Sequence, residues 1–224
     1  MGVLFNEDTN MTIQTVELFC GTQSFSKVAR AFGHTTYTID NDPRHAADVV
    51  ADIRQVKGIP RTEVLWASPP CEAFSVAAIS RNWNPDYTPK HVRAVAAQLL
   101  IKKTVSIIRE TRPTWWFIEN PRGMLRKLAW FDQAIRDMSG ERHTVTYCQY
   151  GDTRMKPTDI WTNAGWWTPK PACSRGDPCH EAAPRGARTG TQGIRGARDR
   201  GRIPSSLFRE LFEQLASHAL RDAA

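Results

Sequence analysis

Cys71 stands in a turn stiffened by two prolines, directly after an apolar, strand-like run at residues 64–67. A second apolar run, at residues 115–118, ends in Glu119 and Asn120. A thiol, a carboxyl group and an amide at the ends of neighbouring strands would face one cleft. These groups can supply a nucleophile, a general acid and a side chain that orients the acid or the substrate. The sequence therefore predicts covalent catalysis at this edge of a sheet.

A second set of polar residues follows the first strand-like run. Residues 17–24 lead from a strand through Gly21 into the start of a helix, an arrangement that can bind a small ligand. Asp40 ends the next strand-like run about twenty residues later, where a carboxylate can hold ribose hydroxyls. Asp52 follows at a third such end. The set predicts a site for a nucleoside-containing cofactor, and a plain strand-to-helix turn is the alternative for the glycine alone.

Alternating strand-like and helical segments would position these side chains. Strand-like runs occur at residues 15–19, 35–39, 64–67, 115–118 and 144–148. The clearest helical pattern between them covers residues 91–110, and its apolar spacing predicts one buried face. That predicted face consists of Val92, Val95, Ala96, Leu99 and Leu100. The alternation predicts an α/β fold in which a sheet carries helices on both faces.

The chain divides into three predicted regions. Residues 1–163, which begin with a polar lead-in at residues 1–12, are predicted to form a catalytic domain. Residues 164–202 are an Arg- and Gly-rich insertion with eight basic residues against three acidic ones. Residues 203–224 carry an apolar stripe typical of a helix that packs back on the catalytic domain. Because most of the net charge of +7 lies in the insertion, we expect a nucleic-acid partner there, with a solvated basic loop as the alternative.

The five cysteines show no paired framework in this 224-residue chain, which predicts free thiols and a reducing cytoplasm. No apolar run approaches the roughly 18 residues that a membrane span needs. Cys173, Cys179 and His180, with Cys148 as a further ligand, form a cluster for which structural zinc and free thiols are both open interpretations. Trp161, Trp166 and Trp167 either pack in the core or stack on bases.

Residues 15–162 resemble the DNA methyltransferases that modify carbon 5 of cytosine. Glu17-Leu18-Phe19-Cys20-Gly21 is similar to the family's S-adenosylmethionine motif, Pro69-Pro70-Cys71 to its nucleophile motif and Glu119-Asn120-Pro121 to its acid motif. Tyr150-Gly151 with Arg154 and Lys156 is similar to a block that ends in Arg-x-Arg. The resemblance implies cofactor contacts from Phe19, Cys20, Gly21, Thr22, Ser24, Asp40, Asp52 and Pro69, and catalytic roles for Cys71, Glu119, Asn120 and Arg154.

The resemblance also implies a Rossmann-like, seven-stranded fold with S-adenosylmethionine as cofactor and DNA as substrate. Cys71 would add to carbon 6 of a flipped cytosine, Glu119 would protonate ring nitrogen 3, and Arg154 would lower the pKa of the thiol. Residues 76–90 would form a lid over the base or, alternatively, an irregular surface connection. The short insertion is similar to compact bacteriophage members without a large target-recognition domain, which implies the host cytoplasm.

Four alternatives stay open at this level. The substrate cytosine could lie in RNA, or the chain could bind nucleic acid without catalysis. A donor that delivers another group to carbon 5 would use the same residues. A cysteine hydrolase is the fourth, but Cys71 has no supporting histidine block and this reading leaves Asp40 and Asp52 unexplained.

Overall fold

A computed structural model describes residues 14–182 and 196–222, without the side chains of residues 197 and 198. The polar lead-in and the predicted basic residues Arg185, Arg188 and Arg195 lie outside the described residues. A sheet of seven strands in the order β3-β2-β1-β4-β5-β7-β6 forms the centre of the protein. The strands are β1 (Gln14–Leu18), β2 (Thr35–Asp40), β3 (Val49–Val50), β4 (Val64–Ala67), β5 (Trp115–Pro121), β6 (Glu141–Thr146) and β7 (Pro157–Thr162).

Strands β1 to β5 pair in parallel, whereas β7 runs antiparallel to both β5 and β6. The central strand β4 has no solvent-exposed side chain, because both faces of the sheet are covered. Its side chains alternate: Leu65 and Ala67 join one hydrophobic core, and Val64 and Trp66 join the other. The predicted mixed α/β sheet with helices on both faces is confirmed.

Helices α3 (Val92–Thr111) and α4 (Ala129–Asp137) cover the first face of the sheet, and helices α1 (Ser24–Ala31) and α6 (Ser205–Asp222) cover the second. The ring of Phe25 in α1 lies 5.8 Å from Trp66 and 5.3 Å from Phe212 in α6, measured between centroids. The apolar stripe of α6 is therefore buried against α1 and the sheet. The helices are α1 (Ser24–Ala31), α2 (Ile79–Asn82), α3 (Val92–Thr111), α4 (Ala129–Asp137), α5 (Ala197–Gly201) and α6 (Ser205–Asp222).

The predicted buried face of α3 is wrong. Val92 is 84% exposed and Leu99 is 46% exposed, Val95 and Ala96 are exposed too, and Leu100 is only half-buried. The helix instead buries a neighbouring stripe, whose side chains join the core on the first face of the sheet. That buried stripe includes Ala94, Ala97, Ile101, Val105 and Ile108. Two apolar stripes share this helix, and only packing against the rest of the protein decides which of them is buried.

The sequence patterns also miss two strands and misplace a third. β3 has only two residues, and β7 begins with Pro157 and contains a buried charge, Asp159. Arg126 neutralises Asp159 across 3.3 Å, which lets a polar sequence occupy an inner strand. β6 starts at Glu141, and a 3-10 turn over Tyr147–Tyr150 replaces the predicted end of that strand.

Trp161 and Trp167 are buried in the two cores, and Trp166 is partly buried with its ring stacked on His218. These positions agree with packing as the role of the tryptophans. Within the described ranges, no helix has the length and apolar character required to cross a membrane.

Candidate active site

The ends of β4 and β5 bring the predicted catalytic residues together. The two strands pair in parallel with Ala67 opposite Ile118, so the turn that follows β4 and the last three residues of β5 lie at the same edge of the sheet. The side-chain amide of Asn120 donates a hydrogen bond to the carbonyl of Pro69 at 3.0 Å. Asn120 is fully buried and thereby fastens the proline turn before Cys71 to the strand that carries Glu119.

A second set of contacts fixes the turn that follows Cys71. The N–H of Phe74 donates to the carbonyl of Cys71 at 3.0 Å, and the N–H of Met124 donates to the carbonyl of Phe74 at 2.7 Å. A Cβ atom at Gly123 would lie only 2.2 Å from the Phe74 carbonyl oxygen. Only glycine therefore permits this approach, which joins the cysteine loop to the loop after β5.

Glu119 is a buried carboxyl group, 5% exposed, near the end of β5. The hydroxyl of Tyr147 donates a hydrogen bond to its Oε1 at 2.9 Å. Burial raises the pKa of Glu119, and Lys156 together with the hydroxyls of Tyr147 and Ser68 lowers it, with a net shift upward. The site thus contains a carboxyl group that retains its proton to higher pH than an exposed glutamate does.

Lys156 is the cation of this site. Burial raises the pKa of the Cys71 thiol and the charge of Glu119 raises it further, whereas Lys156 lowers it. Burial lowers the pKa of Lys156 itself, and Glu119 and Cys71 raise it. The Lys156 ammonium lies 4.6 Å from the centroid of the Tyr147 ring and donates to the carbonyl of Arg200 at 2.9 Å. Cys71, Glu119 and Lys156 therefore form one electrostatically coupled group.

The sequence indicates Lys156 only as the second basic residue of an Arg-x-Lys block and does not indicate Tyr147 as part of the site. The signal for Lys156 is its position two residues after Arg154. Tyr147 carried no such signal. It faces Glu119 because the 3-10 turn after β6 lies beside the end of β5, and the sheet order creates that proximity.

Contrary to the expectation that Arg154 lowers the pKa of Cys71, its guanidinium group is fastened elsewhere. Arg154 is 3% exposed and forms a bidentate ion pair with Asp152. It also donates to the carbonyls of Asp199, Arg200 and Arg202 at 3.3, 3.1 and 3.2 Å. Arg154 thus attaches the basic segment before α6 to the loop that carries Lys156.

The turn between β1 and α1 has left-handed backbone at a glycine and at a glutamine. Gly21 has φ +49° and its N–H donates to the Asp40 carboxylate at 2.9 Å. Gln23 has φ +54°, a conformation that is costly for a residue with a Cβ atom. Its side-chain amide donates to the carbonyls of His45 and Ala46, each at 2.9 Å. These bonds hold the turn against the end of β2.

A cleft of about 500 Å³ opens beside this turn, a volume typical of small-molecule sites. The turn forms one wall, and the segment that enters α6 forms the other. Thr22 and Ser24 were predicted from the sequence, but the opposite wall was not, because nearly 180 residues separate the two in the chain. The cleft is lined by Thr22, Ser24, Lys27, Val28, Asp199, Arg202, Ile203 and Ser205.

The remaining predicted cofactor residues lie around the same edge of the sheet. Phe19 is half-buried with φ +56°, and burial raises the pKa of Cys20 to about 12, so this thiol is unreactive. Asp52, just beyond β3, pairs with the side chain of Arg54. Pro69 accepts the hydrogen bond from Asn120.

Away from this edge of the sheet, four predicted metal ligands lie close together. Three sulfur atoms and an imidazole nitrogen lie within 4.8 Å of one another, and they belong to Cys148, Cys173, Cys179 and His180.

The family model for C-5 cytosine-specific DNA methylases matches residues 13–147, which is more than half of the chain. The chain belongs to this family, and it is therefore an S-adenosylmethionine-dependent DNA cytosine-5 methyltransferase. The match includes Cys71 and Glu119 and ends before Arg154 and Lys156.

A viral relative agrees with this assignment, and a solved structure agrees with the fold. The "Probable DNA (cytosine-5)-methyltransferase" of Frog virus 3 (isolate Goorha) is 28% identical over 221 residues, and the alignment covers 90% of this chain and 99% of the viral protein. A crystal structure from E. coli, assigned as a prophage-encoded DNA modification methyltransferase, superposes with a TM-score of 0.52 at 15% identity. The superposed part covers 67% of this chain and 46% of that longer protein. The similarity between the two structures supports the fold.

Proposed function

We propose that this protein transfers the methyl group of S-adenosylmethionine to carbon 5 of cytosine in DNA through a covalent Cys71 adduct. The observation that carries the proposal is one set of contacts at the edge of the sheet: Asn120 bonds the turn before Cys71 to the strand of Glu119, and the Lys156 ammonium packs on the ring of Tyr147, whose hydroxyl bonds Glu119. A nucleophile, a carboxyl group that keeps its proton and a cation are the groups that addition to a pyrimidine ring requires.

The Cys71 thiolate adds to carbon 6 while Glu119 gives its proton to ring nitrogen 3, which leaves carbon 5 as an enamine carbon. Carbon 5 would then accept the methyl group that bound S-adenosylmethionine would supply, and the remainder of the cofactor would leave as a neutral thioether. A base removes the proton from carbon 5, the thiolate leaves carbon 6 as the ring recovers its double bond, and nitrogen 3 returns its proton to Glu119. The raised pKa of Glu119 supports its role as the acid, since a carboxyl group that ionised fully would have no proton to give.

Lys156 stabilises the thiolate that attacks, and we assign this role to Lys156 rather than to Arg154. Asn120 is a positioning residue, because its amide is bonded to Pro69 in the turn that carries Cys71. Tyr147 positions the acid through the hydrogen bond to Oε1 of Glu119. With these roles assigned, Cys71 is the residue that bonds to the cytosine ring, and Glu119 is the residue that donates a proton to it.

We assign S-adenosylmethionine to the cleft beside the β1–α1 turn, because its volume of about 500 Å³ is typical of sites for small molecules. Thr22, Ser24 and Ser205 line the cleft and would offer hydroxyl groups to the methionine end of the cofactor. Asp40, whose carboxylate accepts a hydrogen bond from Gly21, and Asp52, just beyond β3, would bind the ribose and the adenine outside this cleft. When bound, the cofactor supplies an electrophilic methyl group on a positively charged sulfur.

Carbon 6 of cytosine lies inside the stack of duplex DNA, so the reaction requires that the base be flipped out, at a cost of a few kcal/mol. Residues 76–90 support a lid function because mostly exposed residues lie on both sides of one buried anchor in the middle of the segment. The indole of Trp83 is buried, packs on Phe74 and donates to the carbonyl of Ala73 at 2.7 Å. Further along the segment, the exposed ring of Tyr87 lies against the ammonium group of Lys127.

The basic segment 196–202, fastened by Arg154, would contact phosphates and give affinity with little base readout. A cytoplasmic location stays a prediction from the cysteine pattern. RNA as substrate is the second candidate, because phosphate contacts of the kind that segment 196–202 offers are common to DNA and RNA.

The test is transfer of radiolabelled methyl from S-adenosylmethionine to matched DNA and RNA oligonucleotides. We expect incorporation into DNA cytosine by the unaltered protein and by Glu72→Gln, an exposed neighbour of the nucleophile, and none by Cys71→Ser. Incorporation into RNA alone would replace the proposed substrate. Binding of DNA without transfer to either polymer would overturn the catalytic proposal.

A further inference from the structure

Four side chains outside the active site converge on one point. The sulfurs of Cys148 and Cys173 lie 3.2 Å apart, and those of Cys148 and Cys179 lie 3.6 Å apart. Nδ1 of His180 lies 3.7 Å from the sulfur of Cys173 and 3.5 Å from that of Cys179. All four atoms lie within 4.8 Å of one another. We propose that these residues bind one structural Zn²⁺.

The separations are those of a tetrahedron around a metal. Zinc bonds of about 2.3 Å to sulfur and about 2.0 Å to nitrogen place tetrahedral sulfurs about 3.8 Å apart, and sulfur and nitrogen about 3.5 Å apart. The pair at 3.2 Å needs to open by about 0.6 Å to reach the tetrahedral separation. A disulfide would need a sulfur separation of about 2.05 Å and would leave one sulfur and the imidazole without a role. Three thiolates and an imidazole form a ligand set that favours zinc over calcium or magnesium.

Bonds that do not involve the sulfur–sulfur contacts hold the ligands in place. The N–H of Cys173 donates to the hydroxyl of Thr146 at 2.9 Å, and the N–H of Glu181 donates to the carbonyl of Thr153 at 2.8 Å. The loop that carries three of the ligands is therefore anchored on both sides of them. A site that the chain preorganises in this way binds a metal with less ordering cost.

The wide spacing between Cys173 and Cys179 has a structural explanation. A turn closes between them, in which the N–H of Ser174 donates to the carboxylate of Asp177 at 2.7 Å. This turn takes up the intervening residues and returns the chain to the cluster. The side-chain amide of Gln149 donates to the sulfur of Cys179 at 3.4 Å, a contact of the kind that orients a metal ligand.

The position of the cluster gives the metal a structural task. Cys148 belongs to the 3-10 turn that also contains Tyr147, the hydrogen-bond donor to Glu119. The other three ligands lie in the first half of the basic insertion, residues 164–202, which follows β7. A bound zinc ion therefore joins the start of the insertion to the turn that supports the catalytic acid.

The test measures zinc in the full chain, purified with a reductant, by inductively coupled plasma mass spectrometry. We expect close to one zinc ion per chain in the unaltered protein. Cys71→Ser and Cys20→Ala, which each remove a cysteine outside the cluster, keep the metal. The double variant Cys179→Ser with His180→Ala loses it, whereas His180→Cys retains it because a thiolate is also a zinc ligand.

Cobalt gives a second readout that does not depend on the variants being folded. The unaltered protein, stripped with a chelator and titrated with Co²⁺, should show thiolate-to-cobalt charge transfer and the intense visible bands of tetrahedral cobalt, saturating at one equivalent. Absence of these bands would overturn the proposal. Zinc content no higher than that of the double variant, or a Cys148–Cys173 disulfide in peptide maps of reductant-free protein, would overturn it as well.

Discussion

Glu17 makes the stability of the cofactor turn depend on pH in a predictable direction. Its side chain is 4% exposed in β1, and Oε2 accepts a hydrogen bond from the N–H of Ser26 at 3.0 Å, in the first turn of α1. Burial raises the pKa of Glu17 from 4.5 to about 7, against the opposing effects of the bonds from Ser26. The folded protein therefore holds a proton on Glu17 that the unfolded chain releases at lower pH.

The sign and the magnitude follow from linkage. Below pH 4.5 both states are protonated and the stabilising contribution is complete; as the pH rises from 4.5 through about 7 it is lost, because only the unfolded state ionises freely. The difference between the two pKa values corresponds to about 3 kcal/mol of unfolding free energy. Glu17→Gln keeps an oxygen for Ser26 and removes the titration, so the free energy of unfolding should depend less on pH in this window.

Urea unfolding of the unaltered protein and Glu17→Gln across this pH range measures the effect. The difference between their free energies of unfolding isolates Glu17 from other groups that titrate in the same window. Glu213→Gln, at an exposed position of α6, is the matched control and should follow the unaltered protein. Parallel pH profiles for the unaltered protein and Glu17→Gln would refute the reasoning.

Three further substitutions test the site and its supports. Lys156→Met should lower kcat about 10²- to 10³-fold and move the rising limb of the pH–rate profile to higher pH, because the pKa of the Cys71 thiol rises. Lys156→Arg should retain most activity. A rising limb that does not move in Lys156→Met would contradict the role of Lys156. Gly123→Ala, whose Cβ would overlap the Phe74 carbonyl, should cost about 2 kcal/mol in urea unfolding and reduce methyl transfer. Gly165→Ala, in open space, should change stability by less than about 0.5 kcal/mol, and equal effects would refute the contact. Arg154→Met should destabilise by about 3 kcal/mol and speed proteolysis near residue 200, whereas unchanged protection would contradict the fastening role.

The framework of the fold was predictable because buried parallel strands are continuous apolar runs. Residues 64–67 and 115–118 carry such runs, and both are strands at the predicted positions. β3 was not predictable, since two residues give no period, and β7 contains a buried acidic residue, Asp159, that its contacts with Arg126 and Thr144 make tolerable. The face of α3 depends on contact with the sheet, which its own apolar spacing does not encode.

Part of the site could be predicted for a related reason. Glu119 follows its apolar run directly and Cys71 follows its run after a short proline turn, so their placement at the sheet edge is local information. Lys156, Tyr147 and the wall of the cofactor cleft at Ser205 reach the site through the strand order and the return of α6. Such long-range contacts leave no local pattern in the chain.

The central claim is that Cys71 forms a covalent bond to carbon 6 of cytosine during methyl transfer. An oligonucleotide that contains 5-fluorocytosine tests it, because fluorine at carbon 5 blocks the final elimination and traps the adduct. Mass spectrometry of the protein with this DNA and S-adenosylmethionine should show a complex that carries one added methyl group, with the cross-link at Cys71. Methyl transfer to ordinary cytosine without any trapped complex, or a cross-link at another residue, would contradict the account.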